Sequence, residues 1–572
     1  MRIALGQFNA VVGDLVGNAD KMRNIYSQAA QSDADLVVFP ELAVCGYHPE
    51  DLLLKKDFLE DNRLTLDRLA ADCPDTSLIV GFAESYQGNT YNSAAVLQAG
   101  QISKIYRKSF GSDVPVRRRV DGFAEPEPVV INLKGINIAI TICFDIWNVE
   151  WLKSAFGGLK SAGLPLPPLL SSDRKPQGQV EAASQIQMLI NISASPFSVG
   201  KIKERERILS RCAKEFNCAV AYCNLVGGQD ELVFDGRSMF ADSNGKIVAK
   251  ARAFDEDLII ADVIPLTDGT VQVKPLQAPV PQPTGPLDEI YQALVLGTRD
   301  YARKNQFKKV LLGLSGGIDS SVTAAIAVAA LGAENVIGIT MPSKFNSPET
   351  IADADRLAKN LGIEFLTIPI EPVLRQFNDA LKTVPDWTSK GIAYENLQAR
   401  IRGCILMSLS NQLGCLVLTT GNKSETAVGY ATLYGDTAGG FAVIKDVPKT
   451  LIYKLAEHIN KISERQVIPQ DVITRAPSAE LKPGQKDTDS LPNYDLLDKI
   501  LKGYVEEDKS PQQLIELGLP ADVVHNVIRM VDRNEYKRRL SPPGIKITPK
   551  AFGKDWRLPI TNRYSSKDSS LL

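Results

Sequence analysis

Apolar positions follow two different rhythms along the chain. In the first half short β-rich runs dominate: "RIALGQF" from Arg2, "DLVVFPE" from Asp35, "SLIVGFAE" from Ser77, "INIAITICF" from Ile136, "MLINIS" from Met188 and "LIIADV" from Leu258. Helix-like stretches such as Asn18 to Ala30, with apolar residues at helical spacing, interrupt them. This pattern predicts an α/β sandwich. In the second half "KVLLGLS", "NVIGITMP", "EFLTIPI" and "CLVLTTGN" are each followed by a helical segment. Such strict alternation predicts a parallel, doubly wound sheet. Between the halves, Pro265 to Pro286 carries six prolines and no sustained periodicity, as an extended linker does. The expected division is a domain over 1–264, a linker over 265–286 and a domain over 287–572. Gly157 to Gln179, rich in Gly, Pro and Ser, is expected to be a long loop inside the first domain.

Composition fits that division. A chain of 572 residues exceeds one ordinary core, because domains run to about 100–200 residues. With 44% hydrophobic and 23% charged residues it has the balance of a globular enzyme rather than a disordered or membrane chain. It has no apolar run of about 18 residues. The opening "MRIALGQFNAVVGD" has one basic residue and an apolar run broken by Gly6, Gln7 and Asn9, which suits a first strand and not a signal peptide. A net charge of -2 argues against a general nucleic-acid surface. Eight cysteines without a CxxC pair or a His/Cys cluster point to a reducing compartment and no structural zinc. The cytoplasm is the expected location.

The first chemical signal is "LLGLSGGIDSS", Leu311 to Ser321, a glycine-rich turn between an apolar run and a helix-like run. A Walker-type loop carries a lysine that reaches the outer phosphates of a transferred γ-phosphoryl group. Here Asp319 follows Ser315, Gly316, Gly317 and Ile318, an acid where a base is expected. Backbone N–H groups of the glycines, the serine hydroxyls and the following helix N-terminus suit a held pyrophosphate. Asp319 suits the magnesium that neutralises it. Cleavage between the α and β phosphates, giving an AMP ester, is the chemistry such a loop favours. The alternative is a glycine turn whose aspartate caps a helix.

A second constellation lies in the first half: Glu41 in "VVFPELAVCGY", Lys108 in "IYRKSF" and Cys143 in "AITICFDIW", each just past an apolar run. Strands would deliver all three to a common edge. A cysteine nucleophile commonly uses a histidine base, but His48, His458 and His525 all lie in contexts without catalytic neighbours. A buried glutamate can do that work instead, with the lysine and a backbone N–H stabilising the oxyanion. Taken singly, a cysteine at a strand end is a small core residue and a lone Glu or Lys a solvated charge.

"LGLSGGIDS" resembles the ATP pyrophosphatase loop of adenylating amidotransferases. "ENLQARIRG" (395–403), "TTGNKSETAVGYATLYGD" (419–436), "GGFAVIKDVPKT" (439–450), "APSAEL" with "PGQKDTDSLP" (476–492) and "NEYKRR" with "PPG" (534–544) narrow the resemblance to the glutamine-dependent NAD synthetases. The triad contexts, with "NISASPF" (191–197) and "VGGQDELVFDG" (226–236), resemble the nitrilase, or carbon-nitrogen hydrolase, superfamily that supplies the glutaminase half of that family. The resemblance implies a nitrilase-like α/β sandwich joined to a doubly wound sheet of the adenine nucleotide alpha hydrolase-like type.

It also implies a site map. Glu41, Lys108 and Cys143 would be catalytic, with the N–H of Phe144 at the oxyanion, and Ser195 and Lys201 would bind glutamine. The ATP site would fall on Gly313, Leu314, Ser315, Gly316, Gly317, Ile318, Asp319 and Ser320, with Thr420, Lys449 and Ser478. Magnesium would be held by Asp319 and Glu425, and deamido-NAD would meet Asn396, Glu425 and Lys537. The small molecules implied are deamido-NAD, ATP and L-glutamine or ammonia, the ammonia passing internally to the adenylate, in a homo-oligomer that takes no nucleic acid or membrane as partner. On the residues alone, Lys423 and Glu425 would be a solvated pair at a strand end; their place at the carboxyl end of a parallel strand raises them above that.

In two places the chain leaves the pattern. After Lys108 the family carries a stretch like LPNYxVFDExRYF, whereas this chain reads "SFGSDVPVRRRVDGF", so that the tyrosine becomes Val114 and an acidic pair becomes Arg118 and Arg119. The residue after the nucleophile, usually Glu, is Phe144, and the 157–179 segment is an insertion. These departures leave open an enzyme that runs on free ammonia with an impaired glutaminase. An amidase with an attached nucleotide-binding domain is a further alternative that the intact Asp319, Glu425 and Lys537 speak against, and a nucleotide sensor without turnover is another that the unbroken "SGGIDSS" speaks against.

Overall fold

The computed structural model describes residues 1–109, 128–156, 186–388, 390–562 and 564. They fall into two units, Met1–Gln229 with Phe234–Pro283, and Thr284–Leu572 with Asp230–Val233. The expected loop over 157–179, and the positions Val114, Arg118 and Arg119, lie outside the described residues.

Before residue 284 the strands are β1 (Arg2–Gln7), β2 (Leu36–Val38), β3 (Ser77–Tyr86), β4 (Asn89–Gln98), β5 (Gln101–Arg107), β6 (Val129–Leu133), β7 (Ile136–Ile142), β8 (Met188–Ser193), β9 (Ala219–Asn224), β10 (Val226–Gln229), β11 (Leu232–Asp235), β12 (Met239–Ala241), β13 (Ile247–Lys250), β14 (Asp257–Pro265) and β15 (Val271–Pro275). One sheet runs β15-β14-β1-β2-β3-β4-β5, the other β13-β12-β9-β8-β7-β6, and β10-β11 form a separate hairpin. Period-two alternation sorts each strand of the second sheet between two cores. Ile138, Ile140 and Ile142 of β7 and Met188, Ile190 and Ile192 of β8 face the other sheet, meeting Leu5, Leu36, Val38 and Val96. Ala139 and Leu189 point the opposite way, against Leu152 of helix Val149–Phe156 and Leu209 and Cys212 of helix Lys201–Phe216. Helices Leu15–Ala30 and Lys56–Asp72 cover the first sheet. The sandwich is therefore α-β-β-α in layers, and the inner strands of each sheet are buried on both faces, which is why they read as apolar runs.

The sandwich extends further than its sequence pattern predicts. Val271–Pro275, expected in the linker, is strand β15, paired antiparallel to β14, with Val271 and Val273 buried and Gln272 and Lys274 exposed. The backbone N–H groups of 271–274 remain available for pairing because the prolines sit at 265 and 275, at the strand ends. The boundary between the units falls at 283/284.

The second unit carries β16 (Val310–Gly313), β17 (Val336–Thr340), β18 (Glu364–Thr367), β19 (Leu416–Thr419) and β20 (Phe441–Ala442), all parallel in the order β18-β17-β16-β19-β20. The four expected strands are present; the fifth is two residues long and carries no periodicity to read. The winding reverses between β16 and β19, which opens a crevice beyond their carboxyl ends. Both the glycine loop and Asn422–Glu425 issue there.

Candidate functional site

Three strand ends meet in the first unit. Glu41 lies three residues beyond β2, Lys108 directly follows β5, and Cys143 directly follows β7. Glu41 is fully buried, and each of its oxygens is engaged: Oε1 accepts from Lys108 Nζ at 2.8 Å and from Asn92 Nδ2 at 2.7 Å, and Oε2 accepts from Ala194 N at 2.8 Å. The β7–β8 register pairs Ile142 with Ile192, so Cys143 stands beside Ser193, next to the Ala194 that holds Glu41. Gly81 lets the Glu41 turn lie on β3, since a Cβ there would stand 2.4 Å from Leu42 N and Pro40 O.

Cys143 opens the 3-10 turn Cys143–Trp147 with φ +47, a left-handed conformation costly for a residue with a side chain and typical of strained functional turns. Asp145 ties the turn down, its Oδ2 accepting from Ile142 N at 2.9 Å and from the Tyr106 hydroxyl at 2.7 Å, while Asn191 Nδ2 donates to Cys143 O at 3.3 Å. The first N–H groups of a helical turn have no acceptor within it, and that of Phe144 is one of them. Of the two residues expected to bind glutamine, Ser195 is buried, its hydroxyl accepting from Arg205 Nε at 3.2 Å. Lys201 places its ammonium 4.0 Å from the centre of the Trp147 ring and 2.9 Å from Glu204.

In the second unit a cleft of about 310 Å³ occupies the crevice between β16 and β19. Gly313 to Asp319, Thr420, Glu425, Lys449 and Ser478 line it. Gly316 makes the sharp turn at φ +81, where a Cβ would lie 2.0 Å from Thr350 O. The cation missing from the loop comes from elsewhere: Lys449, first residue of helix Lys449–Ile462, places Nζ on Asp319 and 3.1 Å from Glu425 Oε1. Asn422 joins the same cluster, donating to Asp319 Oδ1 at 2.9 Å and accepting from Glu425 N at 2.9 Å. Asn92 carries no signal in sequence, because it acts through Glu41, a partner distant along the chain; Asn422 is marked only as the helix cap that Glu425 three residues later completes, and its bond to Asp319 is not legible there.

Four expectations meet a different geometry. Ser320 turns back beneath the loop, 3.2 Å from Ser315 Oγ, and donates to Gly317 O at 3.0 Å, so it supports the turn rather than lining the cleft. Asn396 is one step removed, accepting from the Thr432 hydroxyl at 2.8 Å, and Thr432 lines the cleft. Lys537 donates to Gly429 O at 2.6 Å and Ala431 O at 2.8 Å, fixing the chain that leaves helix Lys423–Val428. Lys423 is not a solvated partner of Glu425. It is buried, with Nζ 2.9 Å from Asp446, 2.7 Å from Glu506 and 2.6 Å from Thr548 Oγ1.

Two descriptions of known families match the chain. The NAD synthase model matches residues 290–541, and the carbon-nitrogen hydrolase model matches 2–155 and 179–267, passing over most of the 157–179 insertion. A glutamine-dependent NAD(+) synthetase of Thermotoga maritima is 42% identical over 596 aligned residues, covering 99% of each chain. One from Synechocystis sp. is 44% identical, covering 99% of this chain and all of its own. The chain belongs to the glutamine-dependent NAD(+) synthetases. Among solved structures, that of the family's Acinetobacter baumannii member in complex with adenosine diphosphate is 39% identical, with a TM-score of 0.74 and 98% of each chain covered. The Cytophaga hutchinsonii synthetase, 23% identical, has the same fold at a TM-score of 0.80.

In this family member the charges of the cleft are strongly displaced. Burial pushes the Glu425 carboxyl up to about 7, with Lys449 pulling the other way and Asp319 adding to the rise. Burial disfavours the Lys449 ammonium, but Asp319 and Glu425 outweigh it and hold it above the ordinary lysine range. Asp319 and Glu425 fit magnesium in the manner that ion prefers, one or two carboxylates completed by nucleotide phosphates. Among the described residues no group of three or more His, Cys, Asp or Glu side chains is placed to hold a metal. The Glu425 shift predicts a pH-dependent stability effect. Between the ordinary value of 4.5 and about 7, the folded chain binds the proton more tightly than the unfolded chain does, so stability falls as pH rises and stays reduced above 7. Glu425→Gln is expected to raise the melting temperature at pH 8 and to leave it nearly unchanged at pH 4, measured by calorimetry at the two pH values.

Proposed function

We propose that the chain makes NAD from deamido-NAD, ATP and L-glutamine, releasing AMP, pyrophosphate and glutamate, with Glu41, Lys108 and Cys143 as the hydrolytic centre and the Gly313–Asp319 cleft as the adenylating one. The observation that carries this reading is the pairing of a buried Glu41–Lys108 contact beside Cys143 with a phosphate loop whose lysine, Lys449, arrives from another helix. Either half alone would describe an amidase or a nucleotide binder.

In the first unit Glu41 takes the thiol proton and the Cys143 sulfur attacks the glutamine carboxamide. Lys108 and the Phe144 N–H stabilise the oxyanion. The nitrogen leaves as ammonia with the proton returned from Glu41, and water cleaves the glutamyl thioester. In the second unit the deamido-NAD carboxylate displaces pyrophosphate from the α phosphate of ATP; ammonia then displaces AMP to give the carboxamide. The N–H groups of Gly316 and Gly317 and the Lys449 ammonium hold the leaving pyrophosphate. Asp319 and Glu425 would hold magnesium, which when bound neutralises phosphate charge. Ser195 and Lys201 serve glutamine, Thr420 and Ser478 the nucleotide, and Asn396 and Lys537 act on deamido-NAD through Thr432 and the 429–431 backbone. The ADP-bound A. baumannii relative supports the nucleotide assignment. By resemblance we assign a homo-oligomer, and from the cysteine usage a cytoplasmic location; no helix among the described residues is long and apolar enough to cross a membrane.

The test is NAD formation from deamido-NAD, ATP and magnesium, run in parallel with glutamine and with an ammonium salt. Activity with both is expected. Activity with ammonium alone favours the second reading, an impaired glutaminase, which the 109–123 stretch and Phe144 suggest. Activity with neither overturns the synthetase assignment.

A further inference from the structure

We propose that Asn92 is a further functional residue of the hydrolytic centre, orienting Glu41 through its amide nitrogen and receiving an N–H of the substrate carboxamide on its amide oxygen; this rests on the Glu41–Lys108–Cys143 reading above. Asn92 lies on β4, where the β4–β5 register pairs Ser93 with Arg107. The next step of that ladder sets Asn92 opposite Lys108, whose N–H donates to Asn92 O at 2.9 Å. Residues directly opposite in an antiparallel pair share a face. Both side chains therefore reach Glu41, while Ser93 and Arg107 on the other face share Glu84.

A carboxylate oxygen offers two lone pairs. Glu41 Oε1 fills both, with Lys108 Nζ and Asn92 Nδ2, whereas Oε2 takes only the Ala194 N–H. Oε2 is left as the atom with room for the thiol proton, and Asn92 is one of the two donors that lock the carboxylate in that rotation. The opposite end of the same amide is unsatisfied: Asn92 Oδ1 is buried and has no hydrogen-bond partner. Asparagine orientation is set here by chemistry, since only the NH2 end can donate to a carboxylate. A buried acceptor without a donor is unfavourable, and a primary carboxamide brings the N–H that would satisfy it. An ester at the same position would not. Asn92 Oδ1 accepts a hydrogen bond only; the proton transfers remain on Glu41.

The experiment compares hydrolysis of L-glutamine with that of glutamate γ-methyl ester by the full chain. Asn92→Leu keeps the volume and removes both amide atoms. It is expected to slow the ester about tenfold, through a less oriented Glu41, and glutamine about 100-fold, through the additional lost acceptor. The amide-to-ester ratio of kcat/KM thus falls about tenfold. A merely structural lesion would lower both rates together, and an unchanged ratio overturns the inference. Asn92→Ala serves as the second variant, and the melting temperature reports folding of each. Cys143→Ala separates the two levels: if it retains hydrolysis of either compound, or if the unaltered chain hydrolyses neither, the hydrolytic centre itself is wrong and the inference falls with it.

Discussion

Replacing Cys143 with alanine is expected to abolish NAD formation from glutamine, by at least about 10⁴-fold, while formation from ammonium stays within about twofold. The asymmetry follows from where the residue sits. Its φ of +47 and the Asp145 anchor present a single thiol at the end of β7, beside the Ser193–Ala194 segment whose Ala194 N–H holds Glu41, the proposed base. Alanine keeps the backbone and removes only the thiol proposed as nucleophile, and among the described residues of the first unit no other thiol replaces it: Cys45, Cys212, Cys218 and Cys223 are buried with thiols pushed up by that burial, and Cys73 likewise. Ammonium bypasses the step, so the second unit needs none of these groups. Assays with both nitrogen donors on one preparation read the result directly, and loss of the ammonium-driven rate as well would contradict the division of labour.

Much of this arrangement is legible in the chain because the inner strands of both sheets are buried on both faces. β1, β2, β3, β7, β8 and β14 read as apolar runs, and Glu41 and Cys143 stand just beyond the ends of β2 and β7, whereas Lys108 follows β5, where Gln101, Ser103 and Lys104 are exposed. β4, "NTYNSAAVLQ", does not read as a strand, since Asn92 and Ser93 are buried polar residues satisfied by Glu41 and Glu84 rather than by water. Those pairings are long-range, and a pattern of neighbours along the chain does not contain them. Lys423 shows the same limit from the other side. A lysine two residues before Glu425 reads as solvated, yet Asp446, Glu506 and Thr548 come from segments that only the fold brings to it. Lys449 is recognisable by family resemblance alone, and its bond to Asp319, 130 residues away, explains why the loop does without a lysine of its own.

That bond carries the second large effect. Lys449→Met is expected to slow pyrophosphate release about 10³-fold with either nitrogen donor, while hydrolysis of glutamine to glutamate continues. Two terms act together. The transition state for displacement at the α phosphate builds charge on the departing pyrophosphate, and Lys449 is the ammonium that the cleft places against the loop. Removing it also leaves Asp319 and Glu425 as neighbouring carboxylates without their shared cation, a half-buried like-charge pair that pushes Glu425 further toward its neutral form. Lys449→Arg distinguishes the terms. It keeps the charge, so Asp319 and Glu425 stay paired and the melting temperature is retained, but its planar fork does not reproduce a compact ammonium between two carboxylates and a phosphate. Partial activity in the arginine variant, with full stability, would assign the rate loss to the position of the charge; full activity would mean that only the sign of the charge at 449 matters.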